Sequence, residues 1–475
     1  MGKYSRLGKN TVLVFVGNIG SKLISLFMLP FFTAWLSVED YGTTDLISVY
    51  VSFLLSIITC CIAESIFIFP KGQSRENKKK YFSSGLIFSI ISFSVFALIF
   101  YIVQNALERA AFSSIFTKYA WFIYGMIAAS FIQSYIQQFT RSIDKITIYA
   151  VSGIVLTAVT ALSSFILVPL YGIDGYIYAQ IISLLFTALF SGIYSKAYEF
   201  LSVKAIKKEA CYEMLKYSIP LIPNGIMWWL VSALNRPVME HYSGMHDIGL
   251  FAVANKFPSL IVMAFSIFSY SWQISVIEEF NTKGYKEFYN KMLRIVITFL
   301  TLLSCGIAIL SKTFVTIMAD DKFAEAWKFI PILCFGVIFS SLSTFVGTNF
   351  SATRESKYYF YSSIWGAVAS VVLNILLIPE FGIFGASLAV VIAYMVMAAS
   401  RIIFSWKYVQ ITNIRPYFYM LLINLFLIAA LLLVDDYLTR SIIILILIVT
   451  FIGINKDLYP DLKAIYCKLL KSKNQ

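Results

Sequence analysis

Asn18–Asp45 reads NIGSKLISLFMLPFFTAWLSVEDYGTTD, and its outline occurs twice in the chain. A long apolar helix carries one lysine, Lys22, near its middle. It contains Pro30 and ends in a short acidic turn, Glu39-Asp40-Tyr41-Gly42. A shift of 207 residues places Pro237 on Pro30, Asp247 on Asp40 and Gly249 on Gly42. A second anchor lies further on. Val168-Pro169-Leu170-Tyr171-Gly172-Ile173-Asp174-Gly175 matches Ile378-Pro379-Glu380-Phe381-Gly382-Ile383-Phe384-Gly385 at a shift of 210. Each reads as a short turn between two apolar runs, where Pro and Gly belong. Two anchors at nearly one offset argue for duplication.

The surrounding composition fixes the class. The 475 residues are 59% hydrophobic and 13% charged, with a mean hydropathy of +0.79. A soluble chain of this length carries about twice that charge. Apolar runs of about 20 residues recur throughout, long enough to cross a hydrocarbon core of about 30 Å. They are continuous, as in Tyr419–Val434 and Ser441–Gly453, so helices and not alternating barrel strands are expected. Fourteen candidate spans fall near 11–36, 44–69, 81–104, 115–139, 146–170, 175–198, 217–238, 249–275, 292–311, 328–352, 359–379, 384–408, 417–434 and 439–454. The first is too long for a secretory h-region and reads as a retained helix.

The cations check that map. With both termini cytoplasmic, the outer segments hold only Arg109, Lys118, Arg236, Lys312, Lys322, Lys328 and Arg440. Lys22 and Lys256 fall inside spans, and the rest of the 38 Lys and Arg residues fall in inner segments. That is the positive-inside pattern, and it accounts for the net charge of +13 without nucleic acid. A repeat of six spans keeps its orientation, so the halves are expected to be related by an axis along the membrane normal. The expected domains are a six-helix bundle over residues 1–200, a second over 201–410, and two extra spans with a basic tail over 411–475. Cys60, Cys61, Cys305 and Cys334 lie in apolar runs and Cys211 and Cys467 in basic loops, so no disulfide framework is expected.

Lys22 is the sharpest candidate for function. It sits eleven residues beyond Thr11, about 16 Å into the helix. An ionisable group at that depth costs at least about 2.5–3.5 kcal/mol and faces a cavity or a partner. Asn18, Ser21 and Ser25 share its face. Lys256, with Asn255 before it and Ser259 on its face, lies about 10 Å into its span, and Pro258 is expected to kink the helix there. Arg236 and Asn235 extend a stripe with Asn224, Trp228 and Ser232. A structural ion pair for Lys22, and snorkelling for Lys256 and Arg236, are the plainer readings. Of two acids, Asp45 could cap a helix N-terminus, and Glu64 could pair with Lys22 or take up a coupling proton. Gln133 and Gln137 share a face of the fourth span with Ser130 and Arg141; Ser340, Thr344 and Thr348 do so in the tenth. Those stripes line a lumen or glue helices together. No HExxH, GxSxG, Walker A or Cys-His cluster occurs, and no catalytic residue, cofactor or metal ligand is assigned.

Three stretches carry a family resemblance: Asn18–Lys22 followed by Pro30 and Leu36–Gly42, then Gly249–Ser259, then Tyr270-Ser271-Trp272-Gln273. They resemble the Wzx-type polysaccharide flippases of the multidrug/oligosaccharidyl-lipid/polysaccharide exporter superfamily. The resemblance implies an all-α membrane protein with a cleft between two bundles, alternately open to either side. It implies a bacterial inner-membrane flippase, not an enzyme. Its cargo would be undecaprenyl-pyrophosphate-linked O-antigen or capsule repeat units, moved from the inner to the outer leaflet. Lys22, Lys256 and Arg236 would hold the pyrophosphate. Asn18, Ser25, Asn235, Asn255, Gln133 and Gln137 would meet sugars. A proton or sodium ion is the expected coupling ion if one is used, with Glu64 and Asp45 as its carriers. The implied partners are the lipid bilayer, a polysaccharide polymerase and a chain-length regulator. A cation-coupled drug or metabolite exporter of the same superfamily and a membrane glycosyltransferase or polymerase are the rival readings. The first should favour acids over lysines in its cavity; the second needs a large outer loop or catalytic acids, and the sequence shows neither.

Overall fold

A computed structural model describes residues 26–110, 114–353 and 355–458, and no strand occurs among them. The first helices are α1 (Leu29–Trp35), α2 (Val38–Ile58), α3 (Ile62–Ile68), α4 (Arg75–Arg109), α5 (Ile115–Lys118) and α6 (Ala120–Ser142). They are followed by α7 (Ile146–Ser195), α8 (Lys208–Ser218), α9 (Leu221–Ser232), α10 (Asn235–Tyr242), α11 (Met245–Lys256) and α12 (Pro258–Glu279). The remainder are α13 (Tyr285–Ile309), α14 (Ser311–Met318), α15 (Ile330–Ala352), α16 (Ser356–Ser405), α17 (Arg415–Leu433) and α18 (Tyr437–Ile454).

The acidic turn expected after the first span is instead the first turn of α2. Ser37 accepts the Asp40 N–H at 3.0 Å, and the Asp40 carboxylate accepts the Ser37 N–H at 3.4 Å. This reciprocal cap satisfies two orphan donors and starts the helix at Val38. Glu39 and Asp40 then sit against the positive end of the helix dipole.

Two elements of 50 residues, α7 and α16, would each be about 75 Å long if straight. They are hairpins. Gly172 takes φ 55°, ψ −125° and Gly382 takes φ 51°, ψ −125°, a reversal that a Cβ would oppose. The Ser163 hydroxyl reaches the Ala179 carbonyl at 3.4 Å, although sixteen helical residues would separate them by about 24 Å. In α16 the Ser400 hydroxyl likewise reaches the Ser362 carbonyl at 3.5 Å. These are the turns expected between the fifth and sixth and between the eleventh and twelfth spans. A Glu355 carboxylate, bonded by Lys407 at 2.9 Å and by the Tyr408 hydroxyl, closes the open end of the second hairpin. Those hydrogen bonds hold the Glu355 carboxyl below its usual range.

The span count follows. Eight described helices are long and apolar enough to cross a membrane, and α7 and α16 each supply two passes. The shorter apolar α18, the 23-residue α6 and the broken pair α9–α10 add three more. The first of the fourteen expected spans lies largely outside the described residues. A shift of 207 carries α1 onto α10 within a residue and Val38 onto Met245. A shift of 210 carries the start of α4 onto that of α13, α6 onto α15, and α7 onto α16. The described helices thus repeat at a shift of 207–210 residues, and α17 and α18 follow the repeat.

The chain divides into two compact units: Met1–Val253 with Ile317–Phe323 and Ile378–Ile383, and Ala254–Thr316 with Ala324–Leu377 and Phe384–Gln475. In the first, Ile47, Ile58, Ile123 and Ile127 form one core and Phe82, Phe131, Tyr135 and Phe139 another. Lipid is as apolar as leucine, so close approach rather than water exclusion joins helices here. The buried face of α7 is accordingly Ala150, Ser152, Gly175, Ala179, Ser183, Thr187 and their like. In the second unit Trp272 stacks on Phe345 at 4.2 Å and donates to its carbonyl at 3.2 Å. Helices α17 and α18 join that unit through Asn424, which accepts from Ser304 at 3.2 Å, and through Ala308, Leu427 and Leu431.

Arg401 was expected in an inner segment beside Lys407. It lies inside α16 with no exposed surface. Its guanidinium donates to Ser362 Oγ at 3.0 Å and to the Ser343 carbonyl at 2.9 Å, and it covers the Tyr359 ring at 4.0 Å. Gly347, next to Thr348 of the tenth-span stripe, makes room for that ring and for Arg401, so this part of α15 is helix packing.

Gly172→Ala and Gly382→Ala should each destabilise the protein by about 1–2 kcal/mol, because an L side chain is forced into positive φ. The two costs should add, since the sites sit in separate hairpins. Thermal unfolding of the purified protein in detergent measures this; wild-type midpoints for both variants would contradict the reversal.

Candidate functional site

Along one side of the first unit, α2 runs against α9, α10 and α11. At one end a methyl group on Gly42 would lie 2.3 Å from the Met245 carbonyl oxygen and 2.8 Å from the Gly249 nitrogen. A methyl group on Gly249 would lie 2.0 Å from the Val38 carbonyl oxygen. Only glycine permits this approach. Since Gly249 and Met245 are the 207-shifted images of Gly42 and Val38, each half of the contact repeats the other. That is the signature of a two-fold relation between α2 and α11.

Below this contact the seam becomes polar. Arg236 and Glu240 sit four residues apart on α10 and therefore on one face. Arg236 Nε donates to Asp45 Oδ2 at 3.2 Å. Its Nη1 donates to the Ser232 carbonyl at 2.8 Å and to Asn235 Oδ1 at 3.0 Å, and the guanidinium lies 4.7 Å from the Phe251 ring centre. Arg236 is 7% exposed. Glu240 accepts the Tyr50 hydroxyl at 2.6 Å and the Ile115 N–H at 2.6 Å, so a carboxylate closes the N-terminus of α5. One turn along, Trp229 Nε1 donates to the Val49 carbonyl at 3.2 Å and its ring packs on Phe53 at 4.4 Å. In a low-dielectric setting each of these charges must bring its own partners.

The seam brings together three of the residues singled out from sequence: Asp45, Asn235 and Arg236. Asn235 is almost wholly buried, and its Nδ2 has no hydrogen-bond partner; neither has Asn224 Oδ1 on α9. Lys256 and Asn255 are half-buried in the last turn of α11. The helix breaks immediately after, with Pro258 as the first residue of α12, as its missing N–H requires. The Lys256 ammonium has no ion-pair partner among the described residues. Gln133 and Gln137 lie on α6; Gln137 donates to Ser152 Oγ at 2.6 Å and ties α6 to α7. Glu64 is exposed on α3. No contact joins Gln133, Gln137 or Glu64 to the seam. Lys22, Asn18 and Ser25 lie outside the described residues.

Sequence reading missed Glu240, Tyr50 and Trp229. Glu240 falls between the expected spans 217–238 and 249–275. The four-residue step from Arg236 was the available signal, and α10 is the helix that uses it.

In a desolvated ion pair, removing one partner strands the other, so the loss exceeds the net contribution of the pair. Asp45→Asn should therefore cost about 1–3 kcal/mol of stability. Asp45→Asn combined with Arg236→Gln should cost less than the sum of the single changes, which is the mark of coupled neighbours. A double-mutant cycle on thermal midpoints tests this, and strict additivity would dissolve the pair.

Comparison with known proteins places this architecture. Residues 7–277, more than half of the chain, match a family model described as polysaccharide biosynthesis protein. A protein of the Lsg locus of Haemophilus influenzae is 24% identical over 266 residues, covering 54% of this chain and 62% of its own. An uncharacterised membrane protein of Methanocaldococcus jannaschii is 27% identical over 232 residues, covering 45% of each chain. The matches therefore span about half to three fifths of these relatives. Among solved structures, the lipid II flippase MurJ in an inward closed conformation superposes with a TM-score of 0.71 at 17% identity, covering 95% of this chain and 99% of its own. An inward-facing multidrug resistance transporter of the MATE family gives 0.64 at 13% identity, covering 83% and 94%. At those identities the likeness is one of fold.

Proposed function

Because the chain belongs to the polysaccharide biosynthesis protein family, we propose that it is a flippase for undecaprenyl-pyrophosphate-linked oligosaccharide repeat units of O-antigen or capsule. It would move them from the inner to the outer leaflet of a bacterial inner membrane by alternating access, with both termini cytoplasmic. Residues 1–200 and 201–410 would be the two moving bundles and 411–475 an accessory pair of helices with a basic tail. A polysaccharide polymerase and a chain-length regulator are the partners this reading assigns.

The observation that carries the proposal is the burial of cations among the helices. Arg236 is buried in the α2–α10 seam and Lys256 is half-buried beside a helix break. Such groups suit an anionic headgroup that must leave water. Lys22 and Lys256 would hold the pyrophosphate, with Asn18, Ser25, Asn255, Gln133 and Gln137 meeting sugars. Arg236 is occupied by Asp45, so a headgroup would reach it only by displacing that carboxylate. The freed Asp45, or Glu64, could then take a coupling proton or sodium ion, and the unpartnered Asn235 amide lies next to the vacated position. A membrane potential that is negative inside favours the outward passage of an anion by about 2.3 kcal/mol per charge per 100 mV. The cations would then serve to lower the barrier rather than to drive export.

Two experiments test this reading. In a flippase-null strain, Lys22→Ala should abolish surface polymer while the protein remains in the membrane. Lys22→Arg should retain part of it, since charge survives but shape changes. Lys256→Ala should weaken display less. Full complementation by Lys22→Ala at normal membrane level would remove Lys22 as the headgroup ligand. For orientation, a cysteine at Asp174 or Asp436 should react with an impermeant maleimide on intact cells and one at Lys79 should not. Labelling at Lys79 would invert the topology.

A further inference from the structure

The first unit contains a groove of about 680 Å³ between α4, α6 and the second arm of α7. Ser89, Ile90 and Phe93 line it from α4, Ala128 and Ile132 from α6, and Gly192 from α7. Ile90, Leu189, Tyr198 and Leu201 on its walls are each more than half exposed, so it opens sideways toward the surrounding bilayer. The hydroxyls on its α4 and α6 walls are already used within the protein. Ser89 donates to the Gly85 carbonyl at 2.8 Å, Ser94 to Ile90 at 2.9 Å, Tyr135 to Phe82 at 2.6 Å, and Tyr124 to Phe93. Along those two walls a ligand meets carbon only.

The tandem repeat provides a reference for this groove. At a shift of 210, Ala128, Ile132 and Gly192 correspond to Ile338, Leu342 and Ile402, which line a cavity at the same place in the second unit. That cavity measures about 310 Å³. Larger side chains narrow it, and α17 walls it with Met420, Leu421 and Asn424. What the protein narrows with its own atoms in one repeat it leaves wider in the other. An apolar hollow without occupant forfeits dispersion contacts on every wall, and in a membrane the available occupant is a hydrocarbon chain.

One end of the groove reaches the segment after α7, where Tyr198 and Leu201 line it. Lys196 and Lys204 flank these residues, are exposed, and form no ion pair among the described residues. Arg75 on the same side is neutralised by Glu199 at 2.7 Å. Free ammonium groups at the edge of an apolar slot favour a negatively charged headgroup. We propose that this groove is a resident site for one hydrocarbon chain of an anionic phospholipid, with its headgroup beside Lys196 and Lys204. The site is separate from the seam of Arg236 and from the cargo assigned above.

The test is native mass spectrometry of the full-length protein with phosphatidylglycerol, with phosphatidylethanolamine and with a polyprenyl diphosphate lipid. Wild-type protein should retain one phosphatidylglycerol in preference to phosphatidylethanolamine. At Gly192 a Cβ would meet nothing closer than Ile136 at 3.9 Å, so Gly192→Phe should fill the groove without disturbing the backbone. It should weaken retention by about tenfold or more, as losing a few buried methylene groups implies. Ala128→Leu fills the slot from the opposite wall and should do the same if Gly192→Phe fails to fold; Gly192→Ala should retain the lipid. Lys196→Gln with Lys204→Gln should abolish the preference for the anionic lipid. Wild-type retention in both filling variants would overturn the proposal. So would equal binding of the two phospholipids by the wild type, or displacement of phosphatidylglycerol by the polyprenyl lipid from this groove, which would make it part of the cargo path instead.

Discussion

The close approach of α2 and α11 at Gly42 and Gly249 constrains what surrounds it. With no Cβ on either residue, each helix backbone meets a carbonyl of the other, at Met245 and at Val38. In a bilayer such approach replaces the hydrophobic drive that water supplies to soluble proteins. It also fixes which side chains can face each other further along. Asp45 lies three residues beyond Gly42 and Tyr50 five beyond that, and these are the positions that meet Arg236 and Glu240 on α10. A bulkier residue at either glycine would separate the backbones and strand a guanidinium and a carboxylate in a medium that solvates neither.

The same accounting governs the other buried charges. Arg401 is covered completely and is held by hydroxyls, a carbonyl and an aromatic face. Glu240 is held by a phenol and a helix N-terminus. Asn235, like Asn224 on α9, is incompletely satisfied, and its amide nitrogen has no hydrogen-bond partner. A buried donor left open costs about 1–3 kcal/mol. It sits beside the Arg236–Asp45 pair.

The repeat was legible because its anchors are backbone residues. Pro169, Gly172, Pro379 and Gly382 mark the two hairpins directly, and Gly172 and Gly382 adopt nearly the same dihedral angles. The helical class and the proline break at Pro258 were legible for the same reason: each follows from a local steric or solvation rule. The partners of the charges were not. Arg236 reads in sequence as a headgroup cation or a snorkelling one near the outer end of its span, and only the packing of α10 on α2 gives it Asp45, some 190 residues away. The polar stripe of α6 was likewise ambiguous, since lumen and helix interface use the same residue types. Gln137 spends its amide nitrogen on Ser152 Oγ, which ties α6 to α7.

The two repeats are not copies in one respect. The first breaks its second span at Cys60 and Cys61, both non-glycine residues with φ near 50°. The second breaks the equivalent span at Pro258, nine residues earlier after the 207 shift, or about 14 Å along the helix. A proline break is written into the covalent chain, because no arrangement of neighbours restores the missing N–H. A pair of left-handed cysteines persists only where the surroundings impose it. Here they do so through Ser92, whose hydroxyl takes the Ile58 carbonyl, and through the Cys60 and Cys61 thiols on the carbonyls of Ile57 and Ser56. The first repeat therefore depends on α4 to keep its break, whereas the second would break without help.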